Sequence, residues 1–139
     1  MLKLIPMTPL ENLHLAIGEI AYAVAKIDGK VQNEERQKFH NIVAAELRTK
    51  DYDFQISDII FQIIDKDKMD AETTYDWAMK EIKLNSHYLS PELKLTFLRI
   101  MEKIEKAYPP VSWEEKKFIE RFKKDIEPIN GDPVYYAVH

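Results

Sequence analysis

The stretch Ala21-Tyr22-Ala23-Val24-Ala25-Lys26-Ile27-Asp28-Gly29-Lys30-Val31-Gln32-Asn33-Glu34-Glu35 decides the fold. Upstream of it Leu10, Leu13, Ile17, Ala21 and Val24 recur at three- and four-residue intervals. That spacing puts apolar side chains on one face of an α-helix. Asp28-Gly29 interrupts the pattern, which resumes from about Asn33 with Phe39, Ile42, Val43 and Leu47. Glu34 and Glu35 stand at the start of the second run, where the positive end of a helix favours acidic side chains. The stretch is the elbow of a helical hairpin spanning about 10–48.

Working outward, the same signals recur. Thr8-Pro9-Leu10-Glu11 is a helix start: the hydroxyl accepts an orphan backbone N–H, proline fits the first helical position, and Glu11 closes a capping box. A third helix is expected over about 55–65, where Ile56, Ile59, Ile60, Ile63 and Ile64 follow a helical rather than an alternating pattern. Asp70 caps a fourth, running to about Asn85, with Tyr75, Ala78, Met79 and Ile82 facing inward. Ser90-Pro91-Glu92-Leu93 opens a fifth, carrying Leu93, Phe97, Ile100, Met101 and Ile104, and Pro109-Pro110 must stop it. Ser112-Trp113-Glu114-Glu115 opens a sixth, with Phe118, Ile119, Phe122 and Ile126 on one face and Pro128 beyond its end. The tail 127–139 has a turn at Asn130-Gly131-Asp132-Pro133 before an apolar run containing Tyr135 and Tyr136. It is expected to dock on the core or to serve a partner. The chain reads as one all-α domain over 1–139, a bundle of about six to seven helices.

Shifting the chain by 80 residues against itself aligns two hairpins, 10–48 and 91–126. Ile20 meets Ile100, Val24 meets Ile104, Val31 meets Val111, and Glu34-Glu35 meet Glu114-Glu115. Phe39 and Ile42 meet Ile119 and Phe122. A duplicated hairpin buries both apolar stripes against each other in a pseudo-symmetric bundle.

The motif Asp28-Gly29-x-Val31-x-x-x-Glu35 and its setting resemble the TerB-like family, which includes tellurite-resistance proteins and a domain of some membrane-anchored DnaJ-type co-chaperones. The resemblance covers about three-quarters of the chain. It implies a compact bundle of about seven helices without enzymatic activity, a role in stress resistance, and acidic residues that chelate a metal ion. Carried over, the metal-ligating positions are Asp28, Glu34, Glu35 and Glu115. The second hairpin departs from the pattern: Tyr108 stands at the aspartate position, and Pro109-Pro110 replaces the glycine turn.

The acidic chemistry has a reading of its own. Asp28, Gly29, Val31 and Glu35 match the second half of an EF-hand loop, but Val24 and Lys26 stand where that loop needs oxygen ligands. Two readings remain open: a turn followed by a helix start, or a divalent-cation site. Between Asp51 and Asp76 eight acids face only Lys66 and Lys68, so this segment is a solvated surface with helix caps or a docking patch for a basic partner. From Arg99 to Asp125 eight basic residues mix with six acids, which reads as i,i+4 surface pairing rather than a nucleic-acid footprint.

Composition closes most other classes. The 139 residues contain no cysteine, which excludes disulfides, thiolate metal sites and a cysteine nucleophile. Gly18, Gly29 and Gly131 lie far apart, so neither phosphate-cradling glycine loop is present. His14, His40, His87 and His139 show no metalloprotease spacing, and no serine sits in a G-x-S-x-G elbow. Trp77 and Trp113 are expected as partly buried anchors. The net charge of −4 does not favour nucleic acid. No apolar run suits a membrane span or a secretory leader, so a cytoplasmic location is expected.

Two functional expectations follow. One is a non-enzymatic TerB-like module in a stress-response or scaffold role, with weak divalent-cation binding. The other is a metal-free protein-interaction domain using the acidic 51–76 segment or the C-terminal tail.

Overall fold

The computed structural model describes residues 8–27, 37–38, 41–42, 70–107 and 112–137. Among them every element is helical: α1 (Pro9–Lys26), α2 (Ala71–Leu84), a 3-10 turn (Ser86–Tyr88), α3 (Pro91–Ala107), α4 (Trp113–Ile126) and the short α5 (Pro133–Tyr136). No strand occurs among the described residues, and the all-α class is as expected. The helices expected over 33–48 and 55–65 lie largely or wholly outside the described residues, as does the elbow at Asp28-Gly29.

The starts of the helices follow from local chemistry. Thr8 and Glu11 form both arms of a capping box, at 3.1 and 2.8 Å. Asp70 Oδ1 accepts the Thr73 N–H at 2.7 Å, Ser90 Oγ the Leu93 N–H at 3.1 Å, and Ser112 Oγ the Glu115 N–H at 3.0 Å. Each satisfies a backbone donor that an uncapped helix leaves orphaned.

α1 departs from the amphipathic expectation. Every residue from Asn12 to Val24 is buried, so this helix has no solvent face along those residues. Among the described elements it packs chiefly on α2 and also touches α3 and α4. Leu10, expected on the apolar stripe, is instead 41 % exposed, in the first turn ahead of the buried stretch. Of the inward residues expected on the other helices, Tyr75, Ala78, Met79 and Ile82 on α2, Phe97, Ile100, Met101 and Ile104 on α3, and Phe118, Ile119, Phe122 and Ile126 on α4 are buried, while Leu93, in the first turn of α3, is only partly buried against the core.

Burial of α1 takes Glu19 with it. Its side chain is 3 % exposed, and burial together with the nearby Glu81 carboxylate pushes its pKa from 4.5 up to about 8. A neutral carboxyl is the stable form there over much of the physiological range.

α2 and α4 are joined by a polar fastener. Tyr75 packs edge-on against Phe118 with ring centroids 4.9 Å apart, and its hydroxyl donates to Asp125. The Arg121 guanidinium lies 4.3 Å from the Tyr75 ring centroid and donates to both Glu72 oxygens at 2.8 Å and to Asp76 at 3.3 Å.

Candidate functional site

The first turns of α1 and α3 open on one cleft, and the prolines that start both helices line it. Pro9 and Leu10 come from α1, Pro91 and Leu93 from α3, Tyr88 from the 3-10 turn, and Tyr135 and Tyr136 from α5. The cavity volume is about 830 Å³. His14, nearly buried within α1, also lines it.

The tail wall is held from below. Lys94 on α3 donates to the carbonyls of Glu127 at 2.7 Å and Ile129 at 2.9 Å, and to Asn130 Oδ1 at 3.3 Å. A lysine from a neighbouring helix thus satisfies acceptors that the end of α4 leaves over. The chain then runs beside the 3-10 turn: the Gly131 N–H donates to Leu89 O at 3.0 Å and the Asp132 N–H to His87 O at 2.9 Å. Glycine is required at 131 by this close approach. A Cβ there would stand 2.8 Å from the Leu89 carbonyl carbon and closer still to its oxygen.

Asp132 Oδ1 caps α5 through the Val134 N–H at 3.0 Å. The Tyr135 ring stacks on His87, centroids 4.8 Å apart at 16°, and meets Tyr88 edge-on at 5.4 Å. The tail therefore docks on its own chain. Tyr135 stays 42 % exposed and lines the cleft together with the exposed Leu10.

Chemically the cleft is apolar with polar edges. Tyrosine hydroxyls, the first-turn carboxylate of Glu92 and the Thr96 hydroxyl border apolar walls. Ser90 Oγ is already engaged as the cap of α3. Such a surface suits contact with side chains of a partner.

The residues expected to ligate a metal fall elsewhere. Asp28, Glu34 and Glu35 lie outside the described residues. Glu115 is the third residue of α4, and its side chain is 2 % exposed, turned into the bundle. Among the described residues no group of three or more histidine, aspartate and glutamate side chains is gathered as a metal ion needs. From the acidic 51–76 segment, Asp70, Glu72 and Asp76 are described. Hydrogen bonds from Thr73 hold the exposed Asp70 carboxyl below its usual pKa, while Glu72 and Asp76 bind Arg121.

Two expectations need correction. Trp113 is 68 % exposed rather than packed, because the apolar face of α4 begins five residues later, at Phe118. Arg121 is only weakly part of local i,i+4 pairing. Its contact with Asp125 is 4.0 Å, whereas its short bonds cross to α2. The cleft itself was not legible as a site. Thr8-Pro9 and Ser90-Pro91 each signal a helix start, and nothing in their spacing says that the two starts meet; the paired tyrosines of the tail were the one pointer. Among the described residues no helix is long and apolar enough to cross a membrane. Comparison with protein-family models, with curated proteins and with solved structures finds no match for this chain.

Proposed function

We propose that this chain is a non-enzymatic helical module that holds a protein partner along the cleft between the starts of α1 and α3 and the tail. The observation that carries this reading is that Leu10 and Tyr135, large apolar residues 41 % and 42 % exposed, stand in the wall of one cavity. Aromatic residues beside a concave apolar surface are the usual centre of a binding interface. The tail is the contact, acting while docked on its own chain. Within the TerB-like resemblance, the module is a bundle of six to seven helices built from two duplicated hairpins, with a stress-response or scaffold role.

The test places a photo-crosslinking residue at Leu10, at Tyr135 and, as a control, at the exposed Leu95 of α3. The reading expects one partner captured from both cleft positions and not from Leu95. That partner, purified, must then lose at least about tenfold in affinity for a Leu10→Asp variant of unchanged melting temperature, the effect of placing a charge in an interface centre. Equal capture from all three positions, or unchanged affinity, overturns the reading. Divalent-cation binding at Asp28, Glu34 and Glu35 is a separate matter, tested by calorimetric titration with calcium and magnesium; no heat at millimolar metal removes it.

A further inference from the structure

A second surface lies on the far side of the Arg121 fastener. Two shallow depressions, of about 420 and 500 Å³, adjoin there and share Arg121 and Asp125 in their walls. One is bordered by Lys80, Lys83 and Leu84 of α2, the other by Trp113, Lys116, Lys117 and Lys124 of α4.

The charges do not cancel. Six cations line the two depressions against three acids, on a chain whose net charge is −4. The acids are moreover engaged: Asp76 and Asp125 face Arg121 at 3.3 and 4.0 Å, and Glu120 faces Lys123 at 3.8 Å. Among the described residues, Lys80, Lys83, Lys116, Lys117 and Lys124 enter no ion pair. Apolar groups stand beside the cations. Leu84 is largely exposed, and so is Trp113, whose ring has the Lys117 ammonium 4.2 Å from its centroid.

We infer that this lysine strip between α2 and α4 docks an extended acidic segment of a partner protein. From Trp113 to Lys124 the helix rises about 17 Å, the length of about five extended residues. Carboxylates on such a segment meet the unpaired lysines, and an apolar residue on it packs on Trp113 or Leu84. The alternatives fit less well. Single-stranded nucleic acid stacks successive bases on several aromatic side chains, and the lining of these depressions offers one exposed aromatic ring, Trp113. A membrane surface needs a broad apolar face, and that of α4 is buried as Phe118, Ile119, Phe122 and Ile126.

The experiment measures fluorescence anisotropy of a labelled oligoglutamate peptide with the full chain at low salt. An oligoglutamine peptide, single-stranded DNA and phosphatidylserine vesicles are measured in parallel. Saturable binding of oligoglutamate is expected, weakening as salt rises, and at least about tenfold weaker in a Lys117→Glu/Lys124→Glu variant. Lys106→Glu on α3 removes an exposed lysine outside the strip and must leave binding unchanged, and both variants must keep the parent melting temperature. No binding of oligoglutamate, equal loss in the Lys106→Glu control, or tighter binding of DNA or vesicles than of the peptide overturns the inference. Because the strip shares no residue with the cleft at Leu10 and Tyr135, a Leu10→Asp variant that still binds oligoglutamate separates the two surfaces.

Discussion

The Tyr75 hydroxyl donates to Asp125 Oδ2 at 2.5 Å, tying α2 to α4 across fifty residues of sequence. The phenol is buried, and burial and the Asp125 carboxylate hold its pKa well above the usual tyrosine range. Arg121 stacks on the same ring and reaches Glu72, which raises the guanidinium pKa further. Tyr75→Phe keeps the ring and its contact with Phe118 but removes a hydrogen bond to a charged group, at an expected cost of about 1.5–3 kcal/mol. Arg121→Gln is expected to cost less, about 1 kcal/mol or below, because its side chain and those of Glu72 and Asp76 are substantially exposed. Chemical denaturation of both variants checks the order; the reverse ranking would make the guanidinium the fastener.

Glu19 gives the protein a stability that depends on pH. With its folded pKa near 8 and its ordinary value at 4.5, the native state retains a proton that the unfolded chain has released between those limits. The native state then binds more protons than the unfolded state, so stability falls as pH rises through this window, and levels off on either side. The whole change is of the order of a few kcal/mol. Glu19→Gln keeps the shape of the side chain without the ionisation. It is expected to flatten melting temperature between pH 5 and 8, relative to the parent, and to be the more stable form at pH 8. Identical slopes for the two proteins would show that this carboxyl does not stay protonated in the core.

Gly131→Ala tests how the tail wall of the cleft is held. The added methyl meets the Leu89 carbonyl carbon at 2.8 Å and the His87 carbonyl oxygen at 3.0 Å, both rigid backbone. The chain must move away and give up the bonds from Gly131 and Asp132. Forced overpacking of this kind costs about 1–3 kcal/mol. Hydrogen exchange should lose protection over 131–137 while the long helices keep theirs. Retained protection there would mean that Tyr135 stacking alone suffices.

What the sequence makes legible is local chemistry. Thr8, Asp70, Ser90 and Ser112 were readable as helix caps because a cap and the donor it satisfies lie three residues apart. The inward faces of α2, α3 and α4 were readable because one side of each meets solvent and the period shows. α1 broke that rule. Leu10 has the helical spacing of the inner residues but lies in the first turn, ahead of the stretch buried all round, and nothing in the sequence marks Glu19 as buried. Relationships across the fold were not legible at all. Nothing near Arg121 points to Glu72, forty-nine residues away, and Gly131 read as a turn although the Leu89 carbonyl is what excludes a side chain. The expected metal residues Asp28, Glu34 and Glu35 lie outside the described residues, and Glu115 was placed by its sequence register alone, which carries no information about which way its side chain turns.

Lys94 is the remaining link between the core and the cleft. Its ammonium answers three acceptors at the end of α4, the Glu127 and Ile129 carbonyls and Asn130 Oδ1, and so sets where the chain leaves that helix. Lys94→Met preserves the length and the apolar stem but leaves those acceptors to solvent. Because Glu127 and Asn130 are exposed and Ile129 only partly buried, water replaces part of the loss, and the expected cost is about 1–2 kcal/mol rather than that of a fully buried orphan. The informative consequence is positional. Residues 129–137 lose their anchor on α3 while Gly131 and Asp132 still bond the Leu89 and His87 carbonyls, so the tail should loosen at its entry and keep its grip at Tyr135. Hydrogen exchange is expected to rise first at Ile129 and Asn130, and photo-crosslinking from Tyr135 to survive. If crosslinking from Tyr135 disappears while that from Leu10 persists, Lys94 rather than the backbone pair at Leu89 is what presents the tail to a partner.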